Sequence, residues 1–288
     1  MSQTPRIVTA PHELRASSAR SRGLVPTMGA LHDGHRSLIE RAASENDEVV
    51  VSIFVNPAQF NDAADLARYP RDLAHDATVA KEAGATIIYA PDVTTIYPHG
   101  FATKVHVSDI TKRWEGMSRP GHFDGVATVV SILLNQVHPD RSYFGEKDFQ
   151  QVTMVRRMQL DLALPGQIVC CPTIREAGGL ALSSRNRRLS AKGRASARLL
   201  SHTLFGLRDL AAGGMTDTAS LIEAGNEFLT PGERVSPVTL HYLAIVDPAT
   251  LIPVADIRDG ARALLAAQIG SVRLIDTLDL TPTSEATA

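Results

Sequence analysis

Between residues 22 and 173 the chain alternates short apolar runs with longer segments whose apolar residues recur at helical spacing. Residues 48–55 (EVVVSIFV) form a near-continuous β-branched run, the pattern of a strand buried on both faces of a parallel sheet. Residues 23–27, 85–90, 141–145 and 167–171 read as further strands. Segments 71–84, 123–137 and 150–162 read as helices, the first closed by Gly84. Such βαβα alternation predicts a doubly wound, Rossmann-like parallel sheet that takes its ligands at the carboxyl ends of its strands. After Ile174 the texture changes. A polar, glycine-rich connection over 175–188 leads to a helix over 191–210 with Ser190 as its N-cap, and Gly213-Gly214 ends it. A helix over 218–228 and strand-like runs at 239–246, 261–268 and 272–275 follow. The predicted organisation is α/β: a Rossmann-like domain over 1–176 and a smaller α+β C-terminal lid domain over 177–288, with a frayed tail from residue 281.

Composition narrows the class without choosing a function. With 288 residues, 44% hydrophobic and 21% charged, the chain has enough apolar material for one large core or two domains. The first 22 residues are polar and broken by Pro5 and Pro11, and no run approaches membrane-spanning length, so the expected compartment is the cytoplasm, with no membrane partner. A formal net charge of −2 argues against a nucleic-acid partner. Cys170 and Cys171 are adjacent on a strand, where their side chains point to opposite faces, and both are expected reduced.

Candidate chemistry concentrates in residues 23–40, GLVPTMGALHDGHRSLIE. A short strand passes through a turn carrying Gly29 and Gly34 into a helix starting near His35. Glycines allow close backbone approach, and a helix N-terminus offers N–H groups and partial positive charge, which together make an anion site. His32 and His35 stand where loop becomes helix and can donate hydrogen bonds to phosphate, the helix end favouring their neutral form. Two readings stand beside this one: a metal site, for which the neighbourhood adds only Asp33, and two ordinary turn histidines.

The segment Pro26-Thr27-Met28-Gly29-Ala30-Leu31-His32-Asp33-Gly34-His35 resembles the signature of the pantothenate synthetase (pantoate–β-alanine ligase) family, a variant of the H-I-G-H motif of the nucleotidylyltransferase superfamily. Similarity continues in the family's order through Asn56-Pro57-Ala58-Gln59-Phe60, Tyr69-Pro70-Arg71, Arg119-Pro120-Gly121-His122-Phe123, Gly145-Glu146-Lys147-Asp148 and Leu182-Ser183-Ser184-Arg185-Asn186. The resemblance implies ATP-dependent condensation of pantoate with β-alanine to pantothenate (vitamin B5, for coenzyme A) through a pantoyl adenylate, with release of AMP and pyrophosphate.

The same resemblance implies the roles of residues. His32, His35, Lys147 and Arg185 are the catalytic candidates, His35 being the family's proton donor. ATP is expected to meet Met28, Gly29, Ala30, Leu31, His32, Asp33, Gly34 and His35, then Gly145, Glu146, Lys147 and Asp148, with Asp148 at the ribose hydroxyls. Ile174 is expected near adenine, and Leu182, Ser183, Ser184 and Arg185 complete the set. Gln59 and Gln151 are expected at pantoate, over an apolar bed of Met28, Phe54 and Phe60, and Gln59 also at β-alanine. Mg2+ is expected with ATP, Asp76 serving as its protein ligand, and a homodimer is typical of the family. The chain departs from the family's pattern at Gly178, where aspartate is common, at Asp72, where threonine is common, and at Ile132, where lysine is frequent. Gly178 puts the hinge and the affinity for ATP in question.

Each role has a plainer alternative. Lys147 could be a solvated lysine, but its place directly after a predicted strand, with Gly145 allowing close approach, favours the phosphate role. The run from Arg185 to Arg198 could be a solvated helix face or an RNA-binding one, and only Arg185, in the matching block, is assigned to phosphate. For the whole chain the competing functions are a nucleotidylyltransferase, which would favour basic residues over Gln59 and Gln151, and a non-catalytic nucleotide-binding or RNA-associated module.

Overall fold

The structure is a computed structural model that describes residues 4–14, 19–229 and 236–281. The chain divides into two compact units, one of residues 1–146 and 150–172, the other of 147–149 and 173–288. The expected tail lies, from residue 282 onward, outside the described residues.

In chain order the first unit contains β1 (Arg6–Val8), β2 (Arg22–Thr27), α1 (Asp33–Glu45), β3 (Glu48–Ile53), α2 (Ala63–Ala67), α3 (Leu73–Glu82) and β4 (Ile87–Tyr89). Then come α4 (Val93–Ile96), α5 (Glu115–Ser118), α6 (His122–Val137), β5 (Arg141–Gly145), α7 (Phe149–Asp161) and β6 (Gln167–Cys171), Phe149 itself counting with the second unit. The six strands form one sheet in the order β1-β4-β3-β2-β5-β6, and every neighbouring pair is parallel. This is the doubly wound sheet that the β-branched runs predict. From β2 the chain steps outward to β3 and β4, and from β5 the other way to β6. The order therefore reverses between β2 and β5, and the crevice at their carboxyl ends is where an open α/β sheet binds ligands.

Leu24, Val25, Val49, Val50 and Val51 are each at most 1% exposed, and burying each such side chain stabilises the sheet by roughly 1.5–3 kcal/mol. Two differences from the sequence expectation have simple causes. The edge strand β1 is only three residues long, pairs only with β4 and follows Pro5, so its pattern carries no periodicity. Helix α3 starts at Leu73 rather than 71 because the Asp72 carboxylate caps it, accepting from His75 N at 3.0 Å. Neither Cys170 nor Cys171 is in a disulfide, and burial pushes the Cys171 thiol up to about 11.

The second unit contains α8 (Ala191–Ala212), α9 (Thr218–Phe228) and an antiparallel sheet of β7 (Val238–Val246), β8 (Arg262–Ile269) and β9 (Val272–Asp279). Leu200, Leu204 and Leu207 repeat at one-helix-face spacing and share a core with Ala263, Leu265 and Ala267 of β8. It is the α+β element combination expected from the sequence. Among the described residues no helix is long and apolar enough to cross a membrane.

Candidate active site

The loop leaving β2 is built almost entirely from its own backbone donors. Thr27 Oγ1 donates to Ser52 O at 2.7 Å and accepts from Gly29 N at 3.1 Å. Ala30 N and Leu31 N donate to the two carboxylate oxygens of Asp76, at 2.9 and 2.7 Å. Gly29 and Ala30 are both left-handed, at φ +80° and +53°. The turn favours glycine at the first position and strains the second, at a cost of about 1–3 kcal/mol that the surroundings must offset.

His32 is the N-cap of α1, with extended backbone (φ −142°, ψ 177°). Its Nδ1 accepts from Gly34 N at 3.1 Å, and His35 Nδ1 accepts from His32 N at 3.4 Å. The two imidazoles thus form a reciprocal capping box, the arrangement usually made by Ser or Thr with Glu or Gln. Their ring centroids lie 4.1 Å apart at a 41° tilt. A ring nitrogen that accepts carries no proton, so this hydrogen-bond pattern assigns the proton to Nε2 in both histidines. Local folding has therefore set the tautomer that donates from Nε2. Sequence reasoning expected unpaired N–H groups of the turn and helix end to join the imidazoles in an anion site; in the structure the N–H groups of residues 29, 30, 31, 32 and 34 have partners within the protein.

The loop's first residue leads to a second cluster. Gln59 Nε2 donates to Met28 Sδ at 3.0 Å, and Gln59 Oε1 accepts from Asn56 Nδ2 at 2.9 Å. Asn56 is 1% exposed and fully used: its Oδ1 accepts from Tyr97 Oη at 2.7 Å and from Ala58 N at 3.2 Å, and its Nδ2 also donates to Gly125 O at 3.1 Å. Burial pushes the Tyr97 phenol up to about 12, against the opposing hydrogen bond to Asn56, so Tyr97 acts as the donor. A chain of polarity from Tyr97 through Asn56 fixes which end of the Gln59 amide donates. Gly125 of α6 makes the packing possible, because a Cβ there would lie 2.3 Å from Ala58 O. Behind Gln59, His122 Nδ1 meets Gln59 O at 2.8 Å, and Arg119 Nη1 meets His122 Nε2 at 3.0 Å. Phe60 packs edge-on to Tyr69, and Phe54 leans on Tyr97.

Asn56, Tyr97, Arg119 and His122 were not assigned from sequence, although three of them lie in the quoted blocks. Of the two adjacent glutamines at the start of α7, Gln150 is the structural one: it accepts from Glu115 N at 3.0 Å and donates to Ile110 O and Arg113 O at 2.7 and 2.9 Å. Gln151, the residue chosen from sequence, is half-buried beside it.

Asp76, the expected magnesium ligand, is 1% exposed in the first turn of α3 with an N–H on each oxygen. No group of three or more His, Cys, Asp or Glu side chains among the described residues gathers so as to hold a metal ion. These surroundings do not fit a protein-held cation at Asp76.

The remaining candidates follow β5 and β6. Gly145 ends β5, and Glu146–Asp148 form a single 3-10 turn. The Lys147 side chain is 15% exposed and its Nζ lies 3.7 Å from Asp148 Oδ2, which is not the setting of a freely solvated lysine. In the second unit, residues 174–182 fold back on themselves, with Leu182 N donating to Ile174 O and Glu176 N to Leu180 O at 2.9 and 2.8 Å. Gly178 and Gly179 turn the chain at φ +96° and +92°, the left-handed region that glycine enters without strain. The turn geometry thus explains glycine at position 178. Ser183 caps the 3-10 turn Ser184–Arg188. Asn186, 3% exposed, donates to Glu176 Oε1 and Ala181 O at 2.9 and 3.0 Å, and Arg194 pairs with the other Glu176 oxygen. Arg175 holds Asp276 through two hydrogen bonds, at 2.6 and 2.9 Å. Arg185, Arg187 and Arg188 are exposed.

With this geometry in hand, comparison with known proteins is direct. Residues 3–279 match the family model for pantoate-beta-alanine ligase. A pantothenate synthetase of Thermus thermophilus is 49% identical over 279 residues, covering 96% of this chain and all of the relative. One from Agrobacterium fabrum is 49% identical over 278 residues, with 94% of each chain covered. A crystal structure of the Thermus thermophilus pantothenate synthetase superposes with a TM-score of 0.90 at 49% identity, covering 96% of this chain and all of that one. A Francisella tularensis pantoate-beta-alanine ligase, complexed with beta-gamma ATP and beta-alanine, superposes with a TM-score of 0.77 at 35% identity, covering 96% of this chain and 98% of that one.

Proposed function

Since the chain belongs to the pantoate–β-alanine ligase family, we propose that it joins pantoate to β-alanine in two steps through a pantoyl adenylate, releasing first pyrophosphate and then AMP. The observation that carries this reading is the imidazole capping box, which presets Nε2–H donors on His32 and His35 in the loop that leaves the sheet at its switch point. The complex of the Francisella tularensis relative with beta-gamma ATP and beta-alanine supports it.

In the first step a carboxylate oxygen of pantoate attacks the α-phosphorus of ATP. The new O–P bond forms as the bond to the bridging oxygen breaks, and pyrophosphate leaves with that electron pair. Charge builds on the α-phosphate and the leaving group, so fixed donors aimed there lower the barrier without reorganising. His32 and His35 donate from Nε2, with His35 as proton donor. Lys147 supplies a compact cation and Arg185 a forked one. The loop 28–35, Gly145, Glu146, Asp148 at the ribose, Ile174 near adenine, Leu182, Ser183 and Ser184 make up the ATP contacts. In the second step the amine of β-alanine attacks the acyl carbon, the carbon–oxygen bond to AMP breaks, and nitrogen sheds a proton as the amide forms.

Gln59 and Gln151 hold pantoate, and Gln59 also meets β-alanine. Because Asn56 fixes the Gln59 amide, Nε2 is the donor that Gln59 offers to a carboxylate or hydroxyl oxygen. Mg2+ bound together with ATP would screen the triphosphate charge, the chemistry a hard, oxygen-preferring cation supplies. A homodimer in the cytoplasm completes the reading, with residues 1–176 as the nucleotide- and pantoate-binding domain.

Product analysis tests it. AMP and pantothenate are expected in equal amounts only when ATP, pantoate and β-alanine are all present. Formation of ADP instead of AMP would overturn the adenylate route.

A further inference from the structure

We propose that Asp76 is a positioning residue for adenylation: an internal carboxylate that occupies the loop's backbone N–H groups and so fixes where His32 and His35 stand. The inference rests on the adenylation reading above and assigns Asp76 a role other than metal ligand. Four observations carry it. Asp76 is 1% exposed, so its carboxylate has exchanged water for protein donors. Those donors are consecutive, Ala30 N on Oδ2 and Leu31 N on Oδ1. They belong to a loop whose residues 29 and 30 are both left-handed, a conformation that persists only where neighbours over-determine it. The fit is close from the loop side as well, since a Cβ on Gly29 would lie 2.7 Å from Asp76 Oδ2.

The geometry transmits directly to the histidines. Leu31, itself 1% exposed, is the residue before His32, the N-cap whose ring and whose partner His35 form the capping box. Two N–H groups clamped on α3 therefore set the height and direction at which α1 begins. Without that clamp the left-handed pair relaxes and both Nε2 atoms shift. A misplacement of about 1 Å costs on the order of 10²-fold in rate. A carboxylate is suited to the task because both of its oxygens accept. An amide accepts at one end only and turns its N–H₂ toward a loop N–H at the other.

The test uses the full-length chain and pantoate-dependent exchange of labelled pyrophosphate into ATP, measured against ATP and free Mg2+ concentration. Asp76→Asn is expected to lower the maximal exchange rate about 30- to 100-fold, with the KM for ATP and the half-saturating Mg2+ concentration each within about threefold of the parent. Gly29→Ala disturbs the same contact from the loop and is expected to give the same split; it keeps the test available if Asp76→Asn is insoluble. Asp72→Ala removes the cap of α3 without touching the loop, and is expected to lower Tm while leaving exchange within about threefold. A rise in the Mg2+ requirement that saturating Mg2+ repairs would make Asp76 a metal ligand and overturn the proposal. Parent-like exchange by Asp76→Asn, or loss of exchange by Asp72→Ala equal to that of Asp76→Asn, would overturn it too. If the parent chain shows no exchange, the adenylation reading fails instead, and the two failures are told apart.

Discussion

Each imidazole of the signature loop accepts a backbone N–H at Nδ1, and that contact decides which ring nitrogen carries the proton. The same logic governs Gln59, whose amide is set by Asn56, which is set in turn by the Tyr97 hydroxyl. Asn56→Ala breaks this chain in the middle and removes the oxygen to which Tyr97 Oη and Ala58 N donate. Such unmade bonds cost about 1–3 kcal/mol. The expected kinetic outcome is a roughly tenfold rise in the KM for pantoate with the KM for ATP little changed, read from initial rates. An equal rise for both substrates would show that the effect is global loosening and not the Gln59 amide. At this scale the sequence was legible where chemistry and position coincide, as for the two histidines beside their glycines. Asn56 stood in view before Pro57, but its link to Tyr97 crosses 41 residues, and nothing in a local window signals that. Asp76 was legible only as a carboxylate in a helix's first turn, a position that suits a cap, a metal ligand or a clamp alike until the neighbouring backbone is seen.

Elements were legible in proportion to how much each buries. Strands β2 to β6 announced themselves because a parallel strand covered on both faces must be apolar throughout, whereas β1 is half exposed and only three residues long. The connection after β6 read as polar loop, and its order comes from Glu176. Burial pushes the Glu176 carboxyl up, but the hydrogen bonds from Arg194 and Asn186 and the nearby positive charges outweigh it and hold it below the usual 4.5. A carboxyl depressed in the folded state contributes stability above its unfolded value and loses it as pH falls through its folded value. The described turn over 174–188 is therefore expected to loosen below about pH 4.5, seen as faster hydrogen exchange at the Gly179 and Leu182 amides, which donate to Glu176 O and Ile174 O, after correction for intrinsic rates. Glu176→Gln should show the loosened behaviour already at pH 7. Equal protection for the two chains across this range would contradict the assignment.

At the scale of the molecule, the chain combines an all-parallel sheet whose strand order reverses between β2 and β5 with a separate three-stranded antiparallel sheet, and the signature loop and Gly145–Asp148 follow β2 and β5. The architecture came from periodicity, but the substrates did not: pantoate and β-alanine enter through the motif blocks, because two side-chain amides and an apolar bed suit many small acids. What the whole arrangement claims is that carboxylate activation on ATP precedes and does not need the amine. The most direct measurement is exchange of labelled pyrophosphate into ATP with magnesium, with and without pantoate, in the absence of β-alanine. The account predicts exchange only with pantoate, reduced about 10² to 10³-fold by His35→Ala and by Lys147→Ala, equivalent to roughly 3–4 kcal/mol of lost transition-state stabilisation each. ATP that still binds while no pantoate-dependent exchange occurs would contradict it.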